Sequence, residues 1–230
     1  MTTPLHCASW RGHTDAIVLL LRCGVDVNAM DAYKRTPLHG VAIWSYTSTK
    51  KSATTLLIDH GVDINAKDHR DISPLHYASE SGYIDMMILL IGNGAGVNAE
   101  DCMGNAPLHY ASRNGHIDAM QLLIDHGADV NIANEHGVTP LHTALFHGNA
   151  DAVSLLISHG ANVNAKAKNG STPLHDSLSL PRRTDVITLL IEHGANINER
   201  TNCGETPLRR ALDNGRIDII ALLREHGAIE

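Results

Sequence analysis

Thr139-Pro140-Leu141-His142-Thr143-Ala144-Leu145-Phe146-His147-Gly148-Asn149-Ala150-Asp151-Ala152-Val153-Ser154-Leu155-Leu156-Ile157-Ser158-His159-Gly160 reads as two short helices with a break between them. Thr139 is suited to N-cap the first, and Pro140 to its first helical position, where the missing N–H costs nothing and the fixed φ favours the helix. That helix is predicted over roughly residues 140–147 and is ended by Gly148-Asn149. Asp151 then falls in the first turn of a second helix, where its charge complements the dipole, and Val153, Leu155, Leu156 and Ile157 supply an apolar face. Gly160 is placed to close this helix in the left-handed conformation. From Ala161 to Ser171, with Asn169-Gly170 as turn signal, the chain is expected to run out and back as a hairpin. Both helices are shorter than the roughly 12–15 residues an isolated helix needs in water, so neighbours must hold them.

The neighbours are copies. Thr3-Pro4-Leu5-His6, Thr36-Pro37-Leu38-His39, Ser73-Pro74-Leu75-His76, Ala106-Pro107-Leu108-His109, Thr172-Pro173-Leu174-His175 and Thr206-Pro207-Leu208-Arg209 repeat the opening segment, with prolines 33, 37, 33, 33, 33 and 34 residues apart. Asn28, Asn65, Asn98, Asn131, Asn164 and Asn198 each lie nine residues before the next proline. A period near 33 opened by T-P-L-H closely resembles the ankyrin repeat, and the resemblance covers the whole chain. It implies an all-α solenoid, an ankyrin repeat stack of helix-turn-helix units linked by β-hairpin loops. The expected organisation is one domain, 1–230, of seven repeats near 1–31, 32–68, 69–101, 102–134, 135–167, 168–201 and 202–230, the first N-terminally truncated. Two insertions lengthen the proline-to-glycine interval, around residues 45–48 and at Pro181. Both are placed in inter-helix loops, followed by the basic pairs Lys50-Lys51 and Arg182-Arg183.

Composition narrows the function. A net charge of -7 argues against nucleic-acid binding, which needs a clustered basic field. No stretch approaches the roughly 18 apolar residues of a membrane span, so no membrane insertion is expected, and the chain reads as cytoplasmic, with a nuclear or host-cell cytosolic location open. Cys7, Cys23, Cys102 and Cys203 are expected as free thiols. The period accounts for most of the 16 histidines: six close T-P-L-H segments, where the resemblance implies a ring bonded to Thr and to backbone groups of adjacent repeats. His60, His126, His159, His193 and His226 precede helix-closing glycines. His69, His136 and His147 stand outside the pattern without metal-ligand spacing, and no Cys-x-x-Cys exists. Gly92-Asn93-Gly94-Ala95-Gly96 lacks the final glycine and the setting of a dinucleotide loop, and no phosphate loop or nucleophile elbow is found. The chain is expected to have no catalytic residues, metal site or cofactor.

In proteins that resemble this one, a concave surface of hairpin tips and first-helix positions meets a protein partner. By register, the first-helix positions include Trp10, Arg11, Trp44, Arg113, Phe146 and His147, and the tips include Tyr33, Arg35, His69, Arg70 and Met103. Both tryptophans and the single phenylalanine fall on this face, and aromatic and Arg residues dominate binding energy at interfaces. These eleven residues are the candidate partner-binding set, with Tyr77 and Tyr110 read as packing residues. The partner's identity is not written in the sequence. Self-association through the uncapped N-terminal repeat is a further expectation, since residues 17–21 are as apolar as in interior repeats. The leading reading is a non-catalytic interaction scaffold or adaptor. The alternative is the targeting portion of a larger protein (an enzyme, ubiquitin-ligase adaptor or channel) whose active part lies outside this chain.

Overall fold

Each of the seven prolines opens a helix in the computed structural model, which describes residues 2–43, 48–178 and 184–229. The first helices are α1 (Pro4–Arg11), α3 (Pro37–Ile43), α5 (Pro74–Ser81), α7 (Pro107–Asn114), α9 (Pro140–Phe146), α11 (Pro173–Ser177) and α13 (Pro207–Asp213). The second helices are α2 (Thr14–Arg22), α4 (Ser48–Asp59), α6 (Ile84–Gly92), α8 (Ile117–Asp125), α10 (Ala150–Ser158), α12 (Thr184–Glu192) and α14 (Ile217–Glu225). The chain is an all-α solenoid. Its contacts define two compact units, residues 1–111 with 118–128, and 112–117 with 129–230. Within the first, α1, α3 and α5 pack in one row and α2, α4 and α6 in another; within the second, α9, α11 and α13 form one row and α10, α12 and α14 the other.

Buried leucines fill the layers in most of the helices. Leu5, Leu38, Leu75, Leu108, Leu141 and Leu174 of the first helices are fully buried, as are Leu57, Leu90, Leu123, Leu156, Leu190 and Leu223 of the second. Each contributes about 1.5–3 kcal/mol from removal of its side chain from water. Thr3 and Thr139 cap their helices by accepting the backbone N–H of His6 and His142, and Gly160 takes φ +84°, the left-handed close expected for α10.

Polar side chains bind successive repeats together. The backbone N–H of Thr36 donates to His39 Nδ1 at 3.0 Å, and that of Ser73 to His76 Nδ1 at 3.1 Å. With Nδ1 an acceptor, the proton resides on Nε2, which donates into the next repeat: His6 to the Arg35 carbonyl (2.8 Å), His39 to Ile72 (3.0 Å), His76 to Asn105 (3.1 Å) and His175 to Glu205 (3.2 Å). His142 is the variant. Its Nε2 is buried without a hydrogen bond, although the Ser171 carbonyl is near enough to oppose the effect of burial on its pKa. The landmark asparagines form a second ladder. Asn65 Nδ2 donates to the Gly94 carbonyl (3.0 Å) while its Oδ1 accepts the Gly96 N–H (2.9 Å), and Asn164 bridges to Gly194 and Asn196 in the same way.

Two local expectations are refined. No strand forms among the described residues. Each loop is closed by two backbone hydrogen bonds, such as Ala167 N–H to the Ser171 carbonyl and Gly170 N–H to the Ala167 carbonyl, and the outer groups bond the neighbouring tip instead: His69 N–H to Tyr33 O (3.0 Å), Cys102 to Arg70 (2.9 Å), Lys168 to His136 (2.8 Å) and Asn202 to Asn169 (3.0 Å). The first insertion is partly helical, adding a turn to the start of α4. Lys50 is therefore no loop residue but lies buried, its Nζ donating to the Val41 carbonyl at 3.2 Å, with burial lowering its pKa to about 8. Lys51 pairs with Asp85 at 3.2 Å. Pro181, Arg182 and Arg183 lie outside the described residues.

Burial holds His39, His76, His142 and His175 below the usual imidazole range, His76 at about 4. Unfolding frees these rings to protonate, so stability is present above about pH 6.5 and is lost as pH falls toward the folded-state values. His76 alone should remove about 2 kcal/mol from pH 7.5 to pH 5. Urea unfolding at the two pH values checks this, and an unchanged midpoint would contradict it.

Candidate partner-binding surface

The finger tips owe their geometry to a carboxylate folded into each loop of the first unit. Asp31 Oδ1 accepts the N–H groups of Tyr33 (2.7 Å) and Arg35 (3.0 Å), Asp68 Oδ1 those of Arg70 (2.7 Å) and Ile72 (3.1 Å), and Asp101 Oδ1 those of Met103 and Asn105 (both 2.8 Å). All three are buried. The second oxygens are also occupied: Asp31 Oδ2 by Arg35 Nε (2.9 Å) and Nη2 (2.7 Å), Asp68 Oδ2 by the Tyr77 hydroxyl (2.8 Å), and Asp101 Oδ2 by that of Tyr110 (2.6 Å). Burial works to raise the pKa of Asp31 and Asp101, but these hydrogen bonds outweigh it and hold both below the usual carboxylate range. Burial and the bonded carboxylates push the Tyr77 and Tyr110 hydroxyls up. The two tyrosines thus brace the tips, a role beyond packing. In the second unit Asn134 takes the carboxylate's place, its Oδ1 accepting His136 and Val138 N–H.

On this frame the first unit gathers several of the expected residues. Tyr33 is 55% exposed, and its ring lies 5.3 Å from that of His69 and 4.9 Å from the Arg35 guanidinium. Arg35 also stands 5.4 Å from the Trp10 ring. Arg70 and Arg11 are exposed, and Met103 is 41% exposed. Trp10 departs from the expectation of an open ring. It is half-buried across Gly40, where a Cβ would stand 1.7 Å from its Cδ1, and its Nε1 is buried without a partner. The absent side chain at residue 40 lets the indole lie flat on α3, so Trp10 is chiefly a packing residue with one edge open. Trp44 lies outside the described residues.

Arg113, Phe146 and His147 belong to the second unit. Phe146 is 70% exposed, its ring edge-on to His147 at 5.2 Å. Desolvation first, then the charge of Arg113, lowers the pKa of His147. Asn149 Nδ2 fixes the end of α7 by donating to the carbonyls of Ser112 (2.9 Å) and Arg113 (2.8 Å). Beside Phe146 an open hollow of about 280 Å³ is lined by Val138, His142, Thr143, Phe146, His147 and Asp176. Register reading did not mark this hollow, because Val138, Thr143 and Asp176 come from three segments. The bracing carboxylates were legible: Asp31, Asp68 and Asp101 each lie six residues before the proline that opens the next helix.

Among the described residues no three His, Cys, Asp or Glu side chains gather to hold a metal ion, and no helix is long and apolar enough to cross a membrane. All four cysteines are free and exposed.

The family model for ankyrin repeats (3 copies) matches residues 1–68, 45–134, 75–167, 130–201 and 166–229. A putative ankyrin repeat protein of Rickettsia bellii (strain RML369-C) is 46% identical over 44 residues, which span 19% of this chain and 18% of that relative. The crystal structure of the human ASB11 ankyrin repeat domain superposes with a TM-score of 0.83 at 27% identity, covering 96% of this chain and 97% of that one.

Replacement of Gly40 by Ala should drive Trp10 from its seat, with a red-shifted tryptophan emission and a stability loss of about 1–3 kcal/mol. Fluorescence-detected urea unfolding reads both, and an unshifted spectrum at unchanged stability would contradict the close approach.

Proposed function

Because the chain belongs to the ankyrin repeat family, whose repeats are protein-protein interaction modules, we propose that it is a non-catalytic scaffold or adaptor that binds a protein partner on its concave face. One observation carries this reading: large aromatic, Met and Arg side chains stand exposed on loops whose own polar groups are already satisfied. Tyr33, Arg70 and Met103 rise from tips fixed by Asp31, Asp68 and Asp101, and Phe146 ends α9 in the open. A fixed presentation loses little ordering entropy on association, which leaves more of the contact energy as affinity. Residues of these types carry most of the energy at protein interfaces.

Tyr33→Ala, Arg70→Ala and Phe146→Ala combined should abolish affinity capture of the partner from lysate of the cells that express the protein. Because all three are exposed, the triple variant should unfold within about 0.5 kcal/mol per site of the wild type. Capture retained by the folded triple variant would remove the proposal.

A second reading concerns the N-terminal repeat. Leu19 is 64% exposed and Met30 56% exposed, which favours self-association there. Sedimentation should then show a concentration-dependent dimer that Leu19→Glu disperses, and a monomer at every concentration would contradict it.

A further inference from the structure

We propose that the hollow beside Phe146 is the seat of an arginine side chain contributed by the protein partner, stacked on the phenyl ring with its guanidinium directed to Asp176. This rests on the reading that the tip and first-helix face meets a protein, and it names the chemistry at one point of that contact.

The hollow is built from the loop before α9 (Val138), from α9 itself (His142, Thr143, Phe146), from the residue after it (His147) and from α11 (Asp176). Its volume of about 280 Å³ suits one long side chain better than a drug-sized ligand. The walls are mostly apolar, and Phe146 offers a solvent-facing ring. Charge selects the occupant. Among the described residues Asp176 is the only carboxylate or cation in the lining, because both imidazoles there are held toward the neutral form by desolvation.

Asp176 is only partly answered by its own chain. Its Oδ1 accepts the Ser171 hydroxyl at 2.7 Å and stands 3.9 Å from Arg210 Nη1. Arg210 is committed elsewhere, with Nη2 on Glu205 Oε2 at 2.6 Å and Nη1 on the His175 carbonyl at 3.0 Å. Asp176 and Glu205 thus share one guanidinium, which leaves one negative charge, and among the described residues Asp176 Oδ2 accepts no hydrogen bond. Arg113 sits at the His147 end and is not part of the lining. A cation entering over Phe146 meets an aromatic face and a carboxylate with an open oxygen. Arginine fits better than lysine, because its planar guanidinium stacks on a ring and presents paired donors to a carboxylate, whereas an ammonium is a more strongly hydrated point charge.

Phe146 is the only phenylalanine of the chain, so ring-labelled phenylalanine gives a single NMR spin system at the site. The purified chain is titrated with N-acetyl-arginine amide, and separately with the lysine, glutamine and glutamate analogues, into the millimolar range expected of a single side chain. The expected result is a saturable shift of the Phe146 ring, strongest with the arginine probe and weakened at least about tenfold in Asp176→Asn. Should Asp176→Asn fail to fold, Phe146→Leu, read at the Thr143 and His147 amides, is expected to weaken arginine binding likewise. An equal or stronger response to the glutamine or glutamate probe would overturn the proposal, as would no saturation, or affinity unchanged in a folded variant. This titration involves no partner protein, so its failure leaves the capture experiment to decide the scaffold reading, and failed capture leaves the titration to decide this one.

Discussion

The structure depends on an imidazole that faces two repeats at once. In each T-P-L-H segment the ring accepts from the backbone N–H at the start of its own helix, which forces its proton onto the far nitrogen, and His6, His39, His76 and His175 spend that proton on a carbonyl of the following repeat. A helix of seven or eight residues cannot persist alone. Here its N-terminus is capped by the same ring that anchors the neighbouring loop, so local order and stacking become one event. The asparagine ladder repeats the device at the other loop, where Asn28, Asn65, Asn98, Asn131, Asn164 and Asn198 reach the glycine carbonyl that closes the next helix pair.

From that linkage follows the character of the exposed face. The loops that carry Tyr33, Arg70 and Met103 have their N–H groups turned onto buried carboxylates and their outer backbone groups bonded to adjoining tips. What remains for solvent, and for a partner, is side chain. The first unit fixes its tips with aspartate and two tyrosine hydroxyls, the second with Asn134, and further along Ala167 and Thr201 stand at the same position. The inward-facing anion thus belongs to the first three loops, so charge as well as side-chain identity varies along the array.

Much of this was legible in the sequence, for a physical reason. Proline at the first helical position, a hydroxyl before it and a glycine after the second helix each act within a few residues, and recurrence at about 33 made them unmistakable. The ring-to-backbone role of the histidines was what the family resemblance implied, and the open position of Phe146 came from mapping the family's first-helix positions onto this chain by register. What register missed arose across repeats or from size. Trp10 was expected in the open, yet the absence of a side chain at Gly40, thirty residues on, lets the indole lie down. Lys50 read as loop, but an added turn of α4 draws it inside. The Phe146 hollow joins residues that no single periodic position unites.

The most direct test of this account is the protonation and tautomer of the T-P-L-H rings, read by long-range proton–nitrogen NMR of the folded protein at neutral pH. His39, His76 and His175 should each appear neutral with the proton on Nε2, and on acidification should protonate below the ordinary imidazole range, His76 only at about pH 4. Rings protonated on Nδ1, or titrating in the ordinary range of a free imidazole, would show that the inter-repeat hydrogen bonds do not form and that something else holds the stack.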